Sequence, residues 1–354
     1  MKIVTVVGAR PQFIKAAAVS RILRMQHEEV MVHTGQHYDY AMSGIFFDGL
    51  DLPQPDVNLG VGSGSHGVQT AAMLQRIEEV LVGEAPDYLL IYGDTNSTLA
   101  GALAASKLRV RVAHVEAGLR SFNRAMPEEI NRIVADHLSH MLFCPSDVSV
   151  SNLATEGLTR NVYVVGDVMR DILDWAMQKL SERPSGILQR LNLTSGKYLV
   201  ATVHRSENTD DPLRLSSILA AFNSLDEPVV FPVHPRARKL IANLSCHIEP
   251  HIRLIDPVGY LDMVALLRGG RLVLTDSGGL QKEAYWMDIP CITLRCETEW
   301  VETVAAGWNV LVGSNAAKIV DAVRTFTPSS SHPTLYGDAF AAQRCIDLLS
   351  THLN

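Results

Sequence analysis

Short β-branched, apolar runs of strand length recur along this chain, each followed by a segment of helical periodicity, and the alternation runs through twice. The first series comprises 3–7, 30–34, 88–92, 110–115 and 162–165; the second comprises 198–203, 229–233, 253–255, 272–275 and 291–294. Runs that are apolar throughout belong to strands buried on both faces, and parallel neighbours need long crossovers, here the helical segments. The fold class is therefore α/β, with two Rossmann-like, doubly wound domains facing a cleft. The linker falls in or just before 179–196, where Glu182-Arg183-Pro184-Ser185-Gly186 breaks the periodicity. We expect an N-terminal domain over 1–168, a second over 169–335, and a C-terminal helix within 336–354 that packs back across the domains. A length of 354 residues suits two cores of this size.

Composition narrows the partners. With 31 Lys and Arg against 38 Asp and Glu the net charge is −7, which argues against nucleic acid but allows a local cationic corner for one anion. Residues 3–7 are too short for a secretory h-region, and no apolar run approaches the roughly 18 residues of a membrane span, so a cytoplasmic protein is expected. Five cysteines, odd in number and without a C-x-x-C pair, fit reduced thiols and neither a disulfide frame nor a zinc site. Gly62-Ser63-Gly64-Ser65-His66-Gly67 matches a dinucleotide fingerprint in letters, but Pro55-Asp56-Val57-Asn58-Leu59 before it is no convincing buried strand. It is read as a flexible loop near the cleft.

Ligands of open α/β sheets bind outside the carboxyl ends of the strands, so the residues there carry the chemistry. After the first strand, Gly8-Ala9-Arg10-Pro11-Gln12-Phe13-Ile14-Lys15 turns into a helix with Arg10 and Lys15 on its first turns, a corner suited to an anion. Asp94 and Glu116 end two further strands, and Glu128 opens a helix after Pro127. Asp94 and Glu128 could merely cap or complement helices, whereas a Glu116 buried between an apolar strand and Ala117-Gly118-Leu119 needs a partner or a role. Carboxylates held close have their proton affinities pushed apart, which supplies an acid and a base. In the second domain His204 ends a strand, and Thr275-Asp276-Ser277-Gly278-Gly279 opens a helix carrying Glu283. Ser277, Gly278 and Gly279 at a helix N-terminus allow close approach of a diphosphate, and Glu283 could accept from a ribose diol.

Several of these segments, with His114-Val115-Glu116-Ala117-Gly118-Leu119-Arg120, Pro127-Glu128-Glu129-Ile130-Asn131-Arg132 and Leu280-Gln281-Lys282-Glu283-Ala284, resemble the non-hydrolysing UDP-N-acetylglucosamine 2-epimerases in the same order. The resemblance implies a GT-B-like pair of domains with the nucleotide mainly on the second, a homodimer, and no metal or nicotinamide cofactor. It implies inversion at C2 of the sugar by elimination of UDP to a 2-acetamidoglycal and re-addition. Asp94, Glu116 and Glu128 are then the acid/base candidates, their individual assignment open. Arg10, Lys15, His204 and the Ser277–Gly279 turn would serve the diphosphate, with Gln36, Arg132, Met263 and Glu283 completing the substrate site.

Departures from the family pattern bear on the sugar. Residues 120–126 form a shortened segment containing Arg124, Trp300 stands where the common family has arginine, and Met263 where an aromatic residue meets the uracil. Asp39, after Gln36-His37, occupies an activator-site position, and 60–67 lacks the family's arginine, which argues against allosteric activation. These features resemble the subgroup acting on UDP-2,3-diacetamido-2,3-dideoxyglucuronate for surface polysaccharide, with Arg124 either a partner for the uronate carboxylate or a solvated loop cation. The alternatives of other classes are a GT-B glycosyltransferase, a hydrolase releasing free sugar, and a binding module without turnover.

Overall fold

β1 (Lys2–Val7) is apolar but for Lys2 and Thr5, and it is buried from its second residue onward, as a central parallel strand must be. In the computed structural model, which describes residues 1–36, 49–233, 235–244 and 246–352, it lies within a seven-stranded sheet. The partners are β2 (Glu28–His33), β3 (Val57–Asn58), β4 (Tyr88–Tyr92), β5 (Arg111–Val115), β6 (Met141–Cys144) and β7 (Val162–Val164). All pairs are parallel, in the order β3-β2-β1-β4-β5-β6-β7. The second sheet contains β8 (Leu199–Thr202), β9 (Val229–Pro232), β10 (Ile252–Ile255), β11 (Leu272–Thr275), β12 (Cys291–Thr293) and β13 (Asn309–Leu311), ordered β10-β9-β8-β11-β12-β13 and again parallel.

The chain divides into one unit of Met1–Trp175 with Tyr336–Asn354 and another of Ala176–Leu335. The last helix, Ala341–Thr351, belongs to the first unit and packs on the helix Arg10–Gln26. Its first amides are capped by Asp171, which accepts from Ala341 N (3.2 Å) and Ala342 N (2.9 Å). In each sheet the strand order reverses direction between two neighbours, β1 and β4 in the first, β8 and β11 in the second. Crossovers leave such a pair on opposite sides, so a crevice opens at their carboxyl ends. Among the described residues no helix is long and apolar enough to cross a membrane, and no group of His, Cys, Asp and Glu is placed to hold a metal ion.

Two features differ from the expected pattern. The loop before the helix His66–Glu84 follows a true strand, β3, but one of two residues at the sheet edge, and Val61 N and Gly62 N bond to Thr34 O and Gly35 O at 3.0 and 3.1 Å. β6, a fully buried Met-Leu-Phe-Cys run, also takes a place in the sheet that the alternation alone did not mark.

Candidate active site

Beside the β1/β4 reversal, Asp94 comes shortly after β4, Glu116 directly after the neighbouring β5, and Glu128 in the first turn of the helix Pro127–Leu138. Gly93 follows β4 with φ of 59°, and a Cβ built on it would stand 3.1 Å from Lys15 Nζ and 3.2 Å from Glu116 Oε2. Glycine both adopts this left-handed backbone and lets the two charged groups lie against it. Lys15 and Glu116 form an ion pair, each side chain only 7% exposed. The ammonium expected on a diphosphate is thus committed to Glu116, because the helix Arg10–Gln26 carries it to the end of β5. Glu116 itself is left-handed, with φ of 71°, a conformation costly for a side-chain-bearing residue and concentrated at functional sites. The N–H groups of Glu116 and Ala117 both donate to Phe143 O, at 3.1 and 3.0 Å, and hold that turn in place.

Asp94 does not cap the helix Asn96–Leu108; Thr95 does, its hydroxyl accepting from Thr98 N. The Asp94 carboxylate instead meets Arg132, with Oδ2 2.5 Å from Nη2. Arg132 lies on the helix Pro127–Leu138, and its Nη1 is 3.1 Å from Glu129 Oε2. Glu129 is buried and accepts from Ser121 N, Ser121 Oγ and Phe122 N, each at 2.9 Å, so it shapes the loop after Arg120. Glu128, half-buried and one helical turn before Arg132, makes no hydrogen bond or ion pair with any other described residue.

The corner after β1 differs from expectation in its backbone. Gly8 N and Ala9 N donate to Gln12 Oε1 (2.9 and 3.1 Å), so these donors are taken from within the turn. Arg10, the first residue of the helix, is half-buried. Gln36 reaches the same edge, its Oε1 accepting from Ser97 Oγ at 2.9 Å. His37 and Asp39 lie outside the described residues.

At the β8/β11 reversal, Asp276 is the organising group, and sequence reasoning gave it no role. Fully buried, it accepts from His204 N (3.1 Å), Arg205 N (3.0 Å) and Asn208 Nδ2 (3.0 Å). The half-exposed His204 ring lies with Nδ1 3.2 Å from Asp276 Oδ1. Ser277 caps the helix Gly278–Trp286 by a long bond, 3.5 Å, from Leu280 N. Gly278 and Gly279 follow, half-buried, as the first two helical residues, whose N–H groups have no acceptor within the helix. A Cβ on Gly278 would stand 3.1 Å from Trp300 Nε1 and 4.0 Å from Arg205 Nη2, so the indole and a guanidinium border the turn. Lys282, fully buried, lies with Nζ 3.7 Å from the centroid of the Trp300 ring.

Two expected ligand contacts change. Glu283 is buried, and its Oε1 accepts from Tyr260 OH at 2.8 Å, which uses one of the oxygens offered to a ribose. Met263 is 2% exposed and packs in the apolar cluster with Tyr198, Val230 and Leu266, so it is a core residue and presents no open face to a uracil.

Behind the first reversal lies a charged cluster that no single motif discloses. Asp136 bonds to His114 Nδ1 (2.7 Å), Arg120 Nη1 (2.7 Å) and Gly118 N (3.1 Å). Burial pushes its carboxyl upward, but His114 and Arg120 outweigh burial and hold it below the usual carboxylate range. The sequence signal was an acid on the inward face of an amphipathic helix, a position where carboxylates are rare unless paired.

The chain is similar to known proteins over almost its whole length. A family model described as UDP-N-acetylglucosamine 2-epimerase matches residues 21–350. The chain is 51% identical over 354 residues to a UDP-N-acetylglucosamine 2-epimerase homolog of Methanococcus maripaludis, covering 99% of each. It is 49% identical over 360 residues to the UDP-2,3-diacetamido-2,3-dideoxy-D-glucuronate 2-epimerase of Pseudomonas aeruginosa, again with 99% of each covered. The crystal structure of Methanocaldococcus jannaschii UDP-GlcNAc 2-epimerase in complex with UDP-GlcNAc and UDP matches with a TM-score of 0.92 and 40% identity, over 99% of this chain and 100% of that one.

Proposed function

Since the chain belongs to the UDP-N-acetylglucosamine 2-epimerase family and is thus an isomerase, we propose that it interconverts UDP-N-acetylglucosamine and UDP-N-acetylmannosamine. The observation that carries this is the pairing of Glu116 with Lys15 and of Asp94 with Arg132 just after two adjacent strands, with Glu128 one helical turn before Arg132. The C2 proton is not α to a carbonyl, so direct deprotonation is too costly. A carboxylate takes H2 while the anomeric C–O bond breaks; the C–H electrons become the C1–C2 double bond and the C–O electrons leave with UDP. A carboxylic acid then delivers a proton to the other face of C2 as UDP re-adds at C1. General acid and base groups contribute about 10²–10⁴-fold each way.

The second unit supplies the leaving-group side. The Ser277–Gly279 turn, with its open N–H groups and helix dipole, takes the diphosphate, and His204 and Arg205 add donors to the charge that develops on it. Arg10, half-buried at the start of the helix Arg10–Gln26, is a further candidate for an anionic group of the substrate. The chemistry calls for no metal or nicotinamide. The resemblance supports a cytoplasmic homodimer, which sedimentation of the purified protein tests.

The test of the reaction is proton NMR of UDP-N-acetylglucosamine with the protein in D2O. Deuterium at C2 and a manno epimer with the nucleotide intact are the expected result; acceptor-linked or free sugar would point to a transferase or a hydrolase. A second reading is the same inversion on UDP-2,3-diacetamido-2,3-dideoxyglucuronate for surface polysaccharide such as O-antigen. It is favoured by Arg124, exposed on the turn after Phe122, where a guanidinium suits a uronate carboxylate, and by the name of one relative. UDP binding without exchange on the first substrate would select it.

A further inference from the structure

His114 is fully buried, and the reaction as written gives it no part. Its Nε2 lies 2.7 Å from Gly93 O and its Nδ1 2.7 Å from Asp136 Oδ1. Both partners are acceptors, a carbonyl and a carboxylate. A neutral imidazole has a single N–H and could serve only one of them, so two short bonds require both ring protons. The cluster balances that charge: Asp136 also receives Arg120, and Arg120 forks onto Glu156 at 2.7 and 2.8 Å. Two cations and two carboxylates leave the set neutral, the condition under which a buried ionised group is retained.

The bonds of this cluster end on the segments that bear the acid/base groups. His114 holds the carbonyl of Gly93, the residue before Asp94, while Gly93 N donates to Val115 O at 3.0 Å. Asp136 holds Gly118 N, two residues after Glu116, and rides on the helix that carries Glu128 and Arg132.

We propose that His114, doubly protonated between Gly93 and Asp136, is a positioning residue that sets the spacing of Asp94 from Glu116 for proton transfer at C2. The activity readout rests on the C2 inversion proposed above. A displacement of about 1 Å in a catalytic group costs on the order of 10²-fold in rate, so a slack Gly93 peptide is felt in kcat. Substrate affinity, carried by the nucleotide turn of the other unit, is not.

The experiment compares His114→Gln with His114→Gln/Asp136→Asn. A glutamine can donate to Gly93 but turns its own carbonyl toward the Asp136 carboxylate; an asparagine at 136 gives that carbonyl a donor while its oxygen still accepts from Gly118 and Arg120. The expected result is a kcat reduced by about ten-fold or more in the single variant, with the UDP dissociation constant within about two-fold of the parent, and partial recovery in the double. A folded single variant with the parent kcat, or a double variant no better than the single, overturns the proposal. The parent protein gives a test free of folding effects: with ¹⁵N-labelled histidine, one imidazole of the folded protein should show both ring nitrogens protonated and hydrogen-bonded under the assay conditions. Finding none that does so overturns it as well. If the parent exchanges C2 of neither substrate, the functional reading fails, while the histidine spectrum still decides the state of His114.

Discussion

Arg132 Nη2 stands 2.5 Å from Asp94 Oδ2, joining the second residue after β4 to a helix that begins more than thirty positions later. The guanidinium is almost wholly buried and the carboxylate partly open, so the pair presents one charged face outward. Arg132 also lies 3.1 Å from Glu129, which means that removing the Asp94 charge does not strand a buried cation. Asp94→Asn should therefore fold normally, bind UDP as the parent does, and lose C2 hydrogen exchange by about 10²-fold or more. The D2O exchange rate checks this, and an asparagine variant that still exchanges at the parent rate removes Asp94 from the proton-transfer step.

Gly278 separates packing from binding. Its backbone is not left-handed, so alanine is conformationally allowed, but the new methyl would meet Trp300 Nε1 at 3.1 Å. Either the indole shifts or the methyl fills the space a phosphate needs. Gly278→Ala should weaken UDP about ten-fold, roughly 1.4 kcal/mol, by calorimetric titration. Ser277→Ala should weaken UDP as well, yet cost less than the usual ~1 kcal/mol of a lost helix cap, because its bond to Leu280 N is already long at 3.5 Å.

Much of this architecture was legible from local pattern. The largely apolar runs at β1, β4, β8, β9 and β11 span four to six residues, and two series of them dictate two parallel sheets. β3 and β13, of two and three residues, are too short for any periodicity to register. The carboxylates at strand ends were visible as residue types in the right places, but their partners were not. Lys15 and Glu116 are 101 positions apart, and Gly93, His114 and Asp136 come together only because β4, β5 and the following helix fold side by side. Met263 shows the converse: a position that residue order offered to a ligand is held 2% exposed in an apolar cluster with Tyr198 and Leu266.

The cysteines should divide sharply by burial. Cys144, Cys291 and Cys345 are buried, and burial pushes their thiols up, that of Cys291 to about 12, leaving almost no thiolate at neutral pH. Cys296 is exposed and Cys246 half-buried. An aromatic disulfide reagent should therefore titrate two thiols in the folded protein, Cys296 faster, and all five in denaturant. Rapid modification of four or five without denaturant would contradict this burial.

Asp171 ties the C-terminal helix to the first unit, and burial raises its carboxyl to about 6 even though the amides of Ala341 and Ala342 favour the ionised form. In the unfolded chain the same group titrates near 4. Between those values the folded protein keeps a proton that the unfolded chain releases, so stability falls as pH rises from about 4 to about 6 and is level in this respect above it. The contribution is at most about 2 kcal/mol, given partial exposure of the group. Asp171→Asn cannot ionise, yet its amide oxygen can still accept from Ala342. Urea unfolding at pH 4.5, 5.5, 7 and 8 should show the parent losing stability relative to Asp171→Asn from pH 4.5 through 5.5 toward 7, and no further between pH 7 and 8. A difference that is flat with pH, or one that grows as the solution is acidified below pH 5, would mean that the Asp171 carboxyl titrates in the ordinary range and that the helix is held by the ionised cap.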